Sequence, residues 1–81
     1  MAHTILFVDD EPEVLELLRR TFPSDEGYAS LTAPSAAKAL EILGKQPVDL
    51  LVTDQRMPGR TGIELIQEAR RLHPDLCAIL L

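Results

Sequence analysis

Cysteine is nearly absent from the 81-residue sequence: Cys77 stands alone, so no disulfide can close within the chain and nothing points to an oxidising compartment. Positive charge is scarce as well. Eight Lys and Arg stand against 13 Asp and Glu, a net charge of −5, and this balance argues against a nucleic-acid face, which needs clustered phosphate contacts. No apolar run approaches the roughly 20 residues that span a bilayer. The opening residues, MAHTILFVDD, lack a basic segment ahead of an apolar core and a small-residue cleavage site, so no signal peptide is expected. Internal repeats, low-complexity segments and long linkers are missing too. What remains is 46% hydrophobic, too apolar for a disordered chain and long enough for one domain with a small core. A soluble, cytoplasmic domain without membrane contact is the expectation.

What is present is an alternation of periods. TILFV (Thr4 to Val8) is a short apolar run that does not alternate, as expected of a strand covered on both faces. PEVLELLRRTF follows with Val14, Leu15, Leu17, Leu18 and Phe22 at helical spacing, Pro12 suited to a first turn, and Glu11 and Glu13 where a helix dipole favours negative charge. Pro23 and SDEG are expected to close this helix, and YASLTA (Tyr28 to Ala33) reads as a second strand. Ser35 is placed to cap a helix striped with Ala36, Ala39, Leu40 and Leu43, and Gly44 is expected to end it. VDLLVT is the clearest strand. Thr61 and Glu64 have the spacing of a capping box, ahead of a stripe of Leu65, Ile66, Ala69 and Leu72. Pro74 stops that helix, and LCAILL reads as a fourth strand. Short strands alternating with helices imply a parallel α/β sheet with right-handed crossovers and helices on both faces.

The acids then take on meaning. Asp9 and Asp10 follow strand one directly, and Asp54 follows strand three. In a 2-1-3-4 strand order these three carboxylates meet at the switch point beyond the carboxyl ends of the strands, while Asp49 lies at the opposite end. Close carboxylates either take up protons or are neutralised by a cation. Oxygen-only donors with open positions suit Mg²⁺ better than a full Ca²⁺ cage. Such an ion would screen the attack of an anionic carboxylate on a phosphoryl group, giving Asp54 a role as nucleophile. The plainer alternative is that Asp10 or Glu11 caps the first helix. Other phosphate chemistry has less support: there is no Gly-x-x-x-x-Gly-Lys loop, and Gln55 and Arg56 after Asp54 give no Asp-x-Asp. His3 and His73 have no partner at metal-ligand spacing, and Cys77 is expected to be a small buried apolar residue. Arg19, Arg20, Arg70, Arg71, Lys38 and Lys45 are expected to be solvated.

ILFVDDEP followed by DLLVTDQRMPGRTGIEL resembles the receiver domain of two-component response regulators. The Asp-Asp pair together with Asp-x-x-Met-Pro-x-x-x-Gly, from Asp54 to Gly62, carries the resemblance, which covers nearly the whole chain, residues 1–81, as the N-terminal part of a single receiver. It implies a flavodoxin-like fold, here with strand order 2-1-3-4 and without strand five or helices four and five. It implies that Asp54 accepts a phosphoryl group from the phosphohistidine of a sensor histidine kinase or phosphotransfer protein, with no nucleotide bound. Mg²⁺ would be held by Asp54, by Asp10 directly, by Asp9 through water, and by the backbone carbonyl of Arg56. Met57, Pro58 and Gly62 match the loop that shapes the site. The domain would be a signalling switch rather than an enzyme acting on an external substrate.

The family's Ser or Thr after strand four and Lys after strand five fall beyond Leu81, which implies weak or absent phosphorylation of this fragment. The side chain of Arg56, at a position that varies in the family, is expected to reach over the site and alter hydrolysis of the acyl phosphate. An open edge on strand four and an apolar sheet face beside the first helix are expected to drive self-association. Two other readings compete: a dimerisation or scaffold module with an unused acidic pocket, and a free-standing Mg²⁺-dependent phosphatase.

Overall fold

Four parallel strands, β1 (His3–Val8), β2 (Tyr28–Ala33), β3 (Leu50–Thr53) and β4 (Cys77–Leu80), form one sheet in the order β2-β1-β3-β4. Three helices connect them: α1 (Pro12–Thr21), α2 (Ala36–Lys45) and α3 (Gly62–Leu72). This computed structural model describes residues 3–22 and 27–81. The expected helix closure at Pro23 and residues 24–26 lies outside the described residues. None of the described helices is long and apolar enough to cross a membrane.

The two faces of the sheet follow from the period of two along each strand. Leu6, Val8 and Leu51 are buried with Ala36, Ala39 and Leu43 of α2 and Leu65 and Ala69 of α3. Phe7 and Val52 are buried on the other face with Leu15 of α1, and Ile5, Leu18 and Leu50 pack against them. Strands one and three are therefore apolar on both sides, which is why neither alternates in sequence. Phe7 also stacks on Phe22, just past α1, with ring centroids 5.6 Å apart.

The helix starts match their sequence signals. Pro12 opens α1, and the Ser35 side chain accepts from Lys38 N at 3.1 Å to cap α2. Gly44 departs from expectation. It lies inside α2, which runs on to Lys45 and ends at Gln46 in an extended conformation. Among the described residues only Gly59 has a positive φ, 82°, so Gly44 does not form a left-handed cap. The third strand is also shorter than VDLLVT. Val48 is buried ahead of it, and Asp49 accepts the Thr4 N–H through its carboxylate at 2.7 Å.

Cys77 is the second departure, being exposed rather than buried. The reason is its strand: β4 lies at the sheet edge, paired only with β3 among the described residues. Ile79, Leu80 and Leu81 are exposed for the same reason. On the α1 face, Ile79 and Leu81 join Phe7, Phe22 and Val52 around an apolar groove of about 300 Å³.

The cations behave as expected of solvated faces. Arg19 and Arg20 pair with Glu16, and Lys38 and Lys45 with Glu41, all at exposed positions. Exposed pairs of this kind contribute little to stability.

Candidate functional site

The sheet ladder runs one step beyond strands one and three, and the acids occupy that step. Asp9 N donates to Ala33 O at 3.2 Å, and Asp54 N donates to Val8 O at 3.1 Å. Val8 faces Thr53 in the β1–β3 register, so Asp9 and Asp54 come next, side by side. By alternation both continue the Phe7 and Val52 face. Asp10 follows where the chain turns toward α1. One carboxylate oxygen from each of Asp9, Asp10 and Asp54 lies within 4.8 Å of the others. The spacing reading therefore brings its three acids together. Asp49 hydrogen-bonds to Thr4 at the opposite end of the strands.

The acids differ in their surroundings. Asp9 is buried, Asp54 half-buried and Asp10 exposed. Asp9 Oδ1 accepts from Glu11 N at 2.9 Å, while Glu11, the first residue of the α1 cap, makes no side-chain cap bond. No side chain caps α1, so the capping role expected of Asp10 or Glu11 is not filled; Asp9 instead closes a local turn onto the N–H of Glu11, the N-cap residue. Asp9 takes part in the acid cluster while making this bond.

Beyond Asp54 the chain makes a loop that is tied down at several points. Gly59 supplies the left-handed turn after Pro58. Met57 packs against the larger core cluster, and Arg60 reaches Glu68 at 2.7 Å. Arg56 is exposed, and with Gln55, Met57, Pro58 and Thr61 it lines an open groove next to the acids. The capping box is complete: Glu64 N donates to Thr61 Oγ1 at 3.2 Å, and Thr61 N donates to Glu64 Oε1 at 2.9 Å. Removing the Thr61 hydroxyl in Thr61→Ala should cost about 1 kcal/mol of stability in denaturant unfolding.

The Glu64 carboxyl is held below its ordinary value of 4.5, first by the hydrogen bond from the Thr61 backbone N–H and then by the Thr61 hydroxyl. A carboxylate with a lowered folded-state value stabilises the fold above its unfolded value and loses that contribution as pH falls through the folded value. Glu64→Gln keeps an acceptor but does not titrate. Its thermal stability should therefore fall less steeply than wild type as pH drops below 4.5, which circular dichroism melts across that range will measure.

Two residues that support Asp54 were not singled out in the sequence. Thr53 is fully buried and its hydroxyl donates to Asp54 O at 3.0 Å. Gln55 bonds the start of α3 through both main chain and side chain. Neither has a spacing signal: the Thr53 bond is to its neighbour's carbonyl, and Gln55 acts only once the loop folds back on α3. His73 Nε2 lies 2.7 Å from Leu43 O, a contact between the ends of α2 and α3, and His3 lies near Asp49. Neither histidine joins the acid cluster.

Residues 5–81 match the family model for the response regulator receiver domain. The chain belongs to that family. It is 44% identical over 78 residues to the hydrogenase transcriptional regulatory protein HoxA of Cupriavidus necator, covering 96% of this chain and 16% of that protein. To the sporulation initiation phosphotransferase F of Bacillus subtilis it is 32% identical over 81 residues, covering all of this chain and 64% of the relative. Among solved structures it resembles the response regulator protein TrrA of Thermotoga maritima in complex with Mg²⁺ and BeF, with a TM-score of 0.85 and 38% identity, over 96% of this chain and 67% of that one. TrrA has also been solved with the histidine kinase ThkA. The receiver spans about one sixth of the HoxA regulator. Its four strands in the order 2-1-3-4 with three helices match a truncated flavodoxin-like fold.

Proposed function

We propose that this receiver accepts a phosphoryl group on Asp54, at a Mg²⁺ site formed with Asp9, Asp10 and the backbone carbonyl of Arg56. The observation that carries the reading is the convergence of three carboxylates within 4.8 Å at the strand ends. Carboxylates this close would let Asp54 and Asp10 hold the ion directly and Asp9 hold it through water. The donors are all hard oxygens, as that ion requires. When bound, Mg²⁺ would neutralise charge on the carboxylates and on the incoming phosphoryl oxygens.

The protein's own part in the chemistry is that of a positioned nucleophile. A carboxylate oxygen of Asp54 attacks phosphorus. The bond between phosphorus and the donor's histidine nitrogen breaks, its electron pair stays on the imidazole, and an acyl phosphate results. The donor is a phosphohistidine of a sensor kinase or phosphotransfer protein; the solved complex of the similar TrrA with a histidine kinase supports this partner class. A cytoplasmic location belongs to the same proposal. The acyl phosphate would switch signalling output, with the domain promoting its own loading and hydrolysis rather than turning over an external substrate. Family membership favours this over the phosphatase and unused-pocket readings.

Labelling of the 81-residue fragment is expected to be weak or absent, so the test is incubation of a complete receiver carrying these residues with Mg²⁺ and a labelled small-molecule phosphodonor. An acid-stable, base-labile and hydroxylamine-sensitive label that maps to Asp54 supports the assignment, and a label elsewhere overturns it.

Self-association is a second part of the proposal. Ile79, Leu80 and Leu81 are exposed on and beside an edge strand, and an apolar groove adjoins them on the α1 face. Such an edge pairs readily with another chain. Light scattering is expected to show the 81-residue chain growing beyond monomer mass as its concentration rises; a concentration-independent monomer would refute this.

A further inference from the structure

One residue satisfies half of the orphan donors that open α3. The first turn of a helix leaves its backbone N–H groups without intrahelical partners. In α3, Gly62 N donates to Gln55 O at 3.0 Å and Ile63 N donates to Gln55 Oε1 at 3.1 Å. Glu64 N goes to Thr61 Oγ1, and Leu65 N makes the first bond of the helical ladder, to Thr61 O. Thr61 N goes to Glu64 Oε1, so two of the four orphans end on Gln55, the residue directly after Asp54, and the other two close the capping box. Only the oxygen of an amide side chain can accept from an N–H, so chemistry sets which end of Gln55 faces the helix.

Asp54 is thereby held along its main chain. Its N–H is on Val8, its carbonyl takes the Thr53 hydroxyl, and the next residue is clamped to α3 twice. We propose that Gln55 is a positioning residue for the acceptor: its side-chain amide ties the Asp54 main chain to the first turn of α3 and so keeps the Asp54 carboxylate against Asp9 and Asp10. The inference rests on the metal and acceptor reading above. A site that needs three carboxylates at once tolerates only small errors in each, and such precision comes from supporting bonds of this kind. The choice of amide is also informative. A helix N-terminus would favour a carboxylate at this position, but a glutamate here would add a fourth negative charge beside the cluster. Glutamine gives the same acceptor without the charge.

The test uses the isotope-labelled 81-residue chain as wild type, Gln55→Met and Gln55→Glu. Methionine matches glutamine in length but offers no comparable acceptor; glutamate keeps the acceptor. Mg²⁺ affinity is read from chemical-shift titration, and the bond itself from hydrogen exchange at the Ile63 amide. Gln55→Met should exchange Ile63 faster and raise the Mg²⁺ Kd, each by about three- to tenfold, the change expected for one neutral hydrogen bond. Gln55→Glu should keep Ile63 protected and bind Mg²⁺ at least as tightly as wild type. A folded Gln55→Met protein with faster Ile63 exchange but an unchanged Kd would make Gln55 merely structural and overturn the proposal. Should Gln55→Met not fold, loss of Ile63 protection or of Mg²⁺ affinity in Gln55→Glu would overturn it on its own. If wild type binds no Mg²⁺, the metal reading falls and takes this inference with it. If wild type binds and Gln55→Met binds equally well, only this inference falls.

Discussion

In a complete receiver with these residues, Asp54→Asn should remove all Mg²⁺-dependent phosphoryl incorporation, whereas Asp9→Asn and Asp10→Asn should leave a reduced but detectable amount. The difference follows from what each residue would supply. An amide is a poor nucleophile at either atom, so replacing the attacking carboxylate ends the reaction rather than slowing it. On the proposed reading Asp9 and Asp10 would supply charge and ligand oxygens, and the loss of one of three would leave a weaker site. One charge-assisted contact is worth about 1.5–3 kcal/mol, so Mg²⁺ affinity should fall roughly 10- to 150-fold in each single variant. Phosphodonor labelling with peptide mapping, run beside a Mg²⁺ titration, checks both effects. Equal loss of label in all three variants would remove the special status of Asp54. Asp9→Asn should also leave the start of α1 intact, because an asparagine oxygen can still accept from Glu11 N, a bond now made at 2.9 Å.

A glycine pair gives the second large effect, with opposite signs at two helix positions. Alanine normally stabilises a helix over glycine by about 0.5–1 kcal/mol. At Gly44 a new Cβ would meet nothing within 4 Å, and φ is not positive, so Gly44→Ala should give that gain. At Gly62 a Cβ would press on the Asp54 carbonyl oxygen and come within 2.6 Å of Leu80 Cδ1. The leucine tip can move, but the backbone carbonyl is fixed by the sheet end and the Thr53 hydroxyl. Overpacking of this kind costs about 1–3 kcal/mol, with the upper end expected where backbone must yield, and that exceeds the propensity gain. Gly62→Ala should therefore unfold at lower denaturant concentration by about 2 kcal/mol net, and should weaken Mg²⁺ binding because the residue it displaces is Asp54. Gly62→Ala as stable as wild type would show that α3 can shift away from the strand end.

The role of Gly62 illustrates how far a motif reaches. The spacing from Asp54 to Gly62 marked the residue, but not the cause. Glycine is required here by close approach of α3 to the acceptor's carbonyl, not by an unusual backbone angle. Gly44 shows the converse: a glycine near a helix end reads as a terminator, yet α2 passes through it to Lys45. Helix propensity is a local preference of about 1 kcal/mol, and the packing of Ala36, Ala39 and Leu43 against the sheet outweighs it. Cys77 differs in another way: strand four is expected to be an open edge, and on that edge, paired with β3 alone among the described residues, even an apolar strand leaves its cysteine exposed.

The sequence by itself determined the alternation of four strands and three helices, the caps at Ser35 and Thr61, and the placement of Asp9, Asp10 and Asp54 after strand ends. These are local matters: period, capping chemistry and turn residues act within a few positions along the chain. The tertiary structure bears out the 2-1-3-4 order that the resemblance implied, and it alone shows how near the acids come: Asp9 and Asp54 share one face and lie within 4.8 Å of each other together with Asp10. It alone also showed Asp9 turned onto Glu11 N and Gln55 holding the first turn of α3. The Gln55 bonds span the loop between strand three and α3, so which donors they meet depends on how that loop folds back, and no spacing along the chain records that.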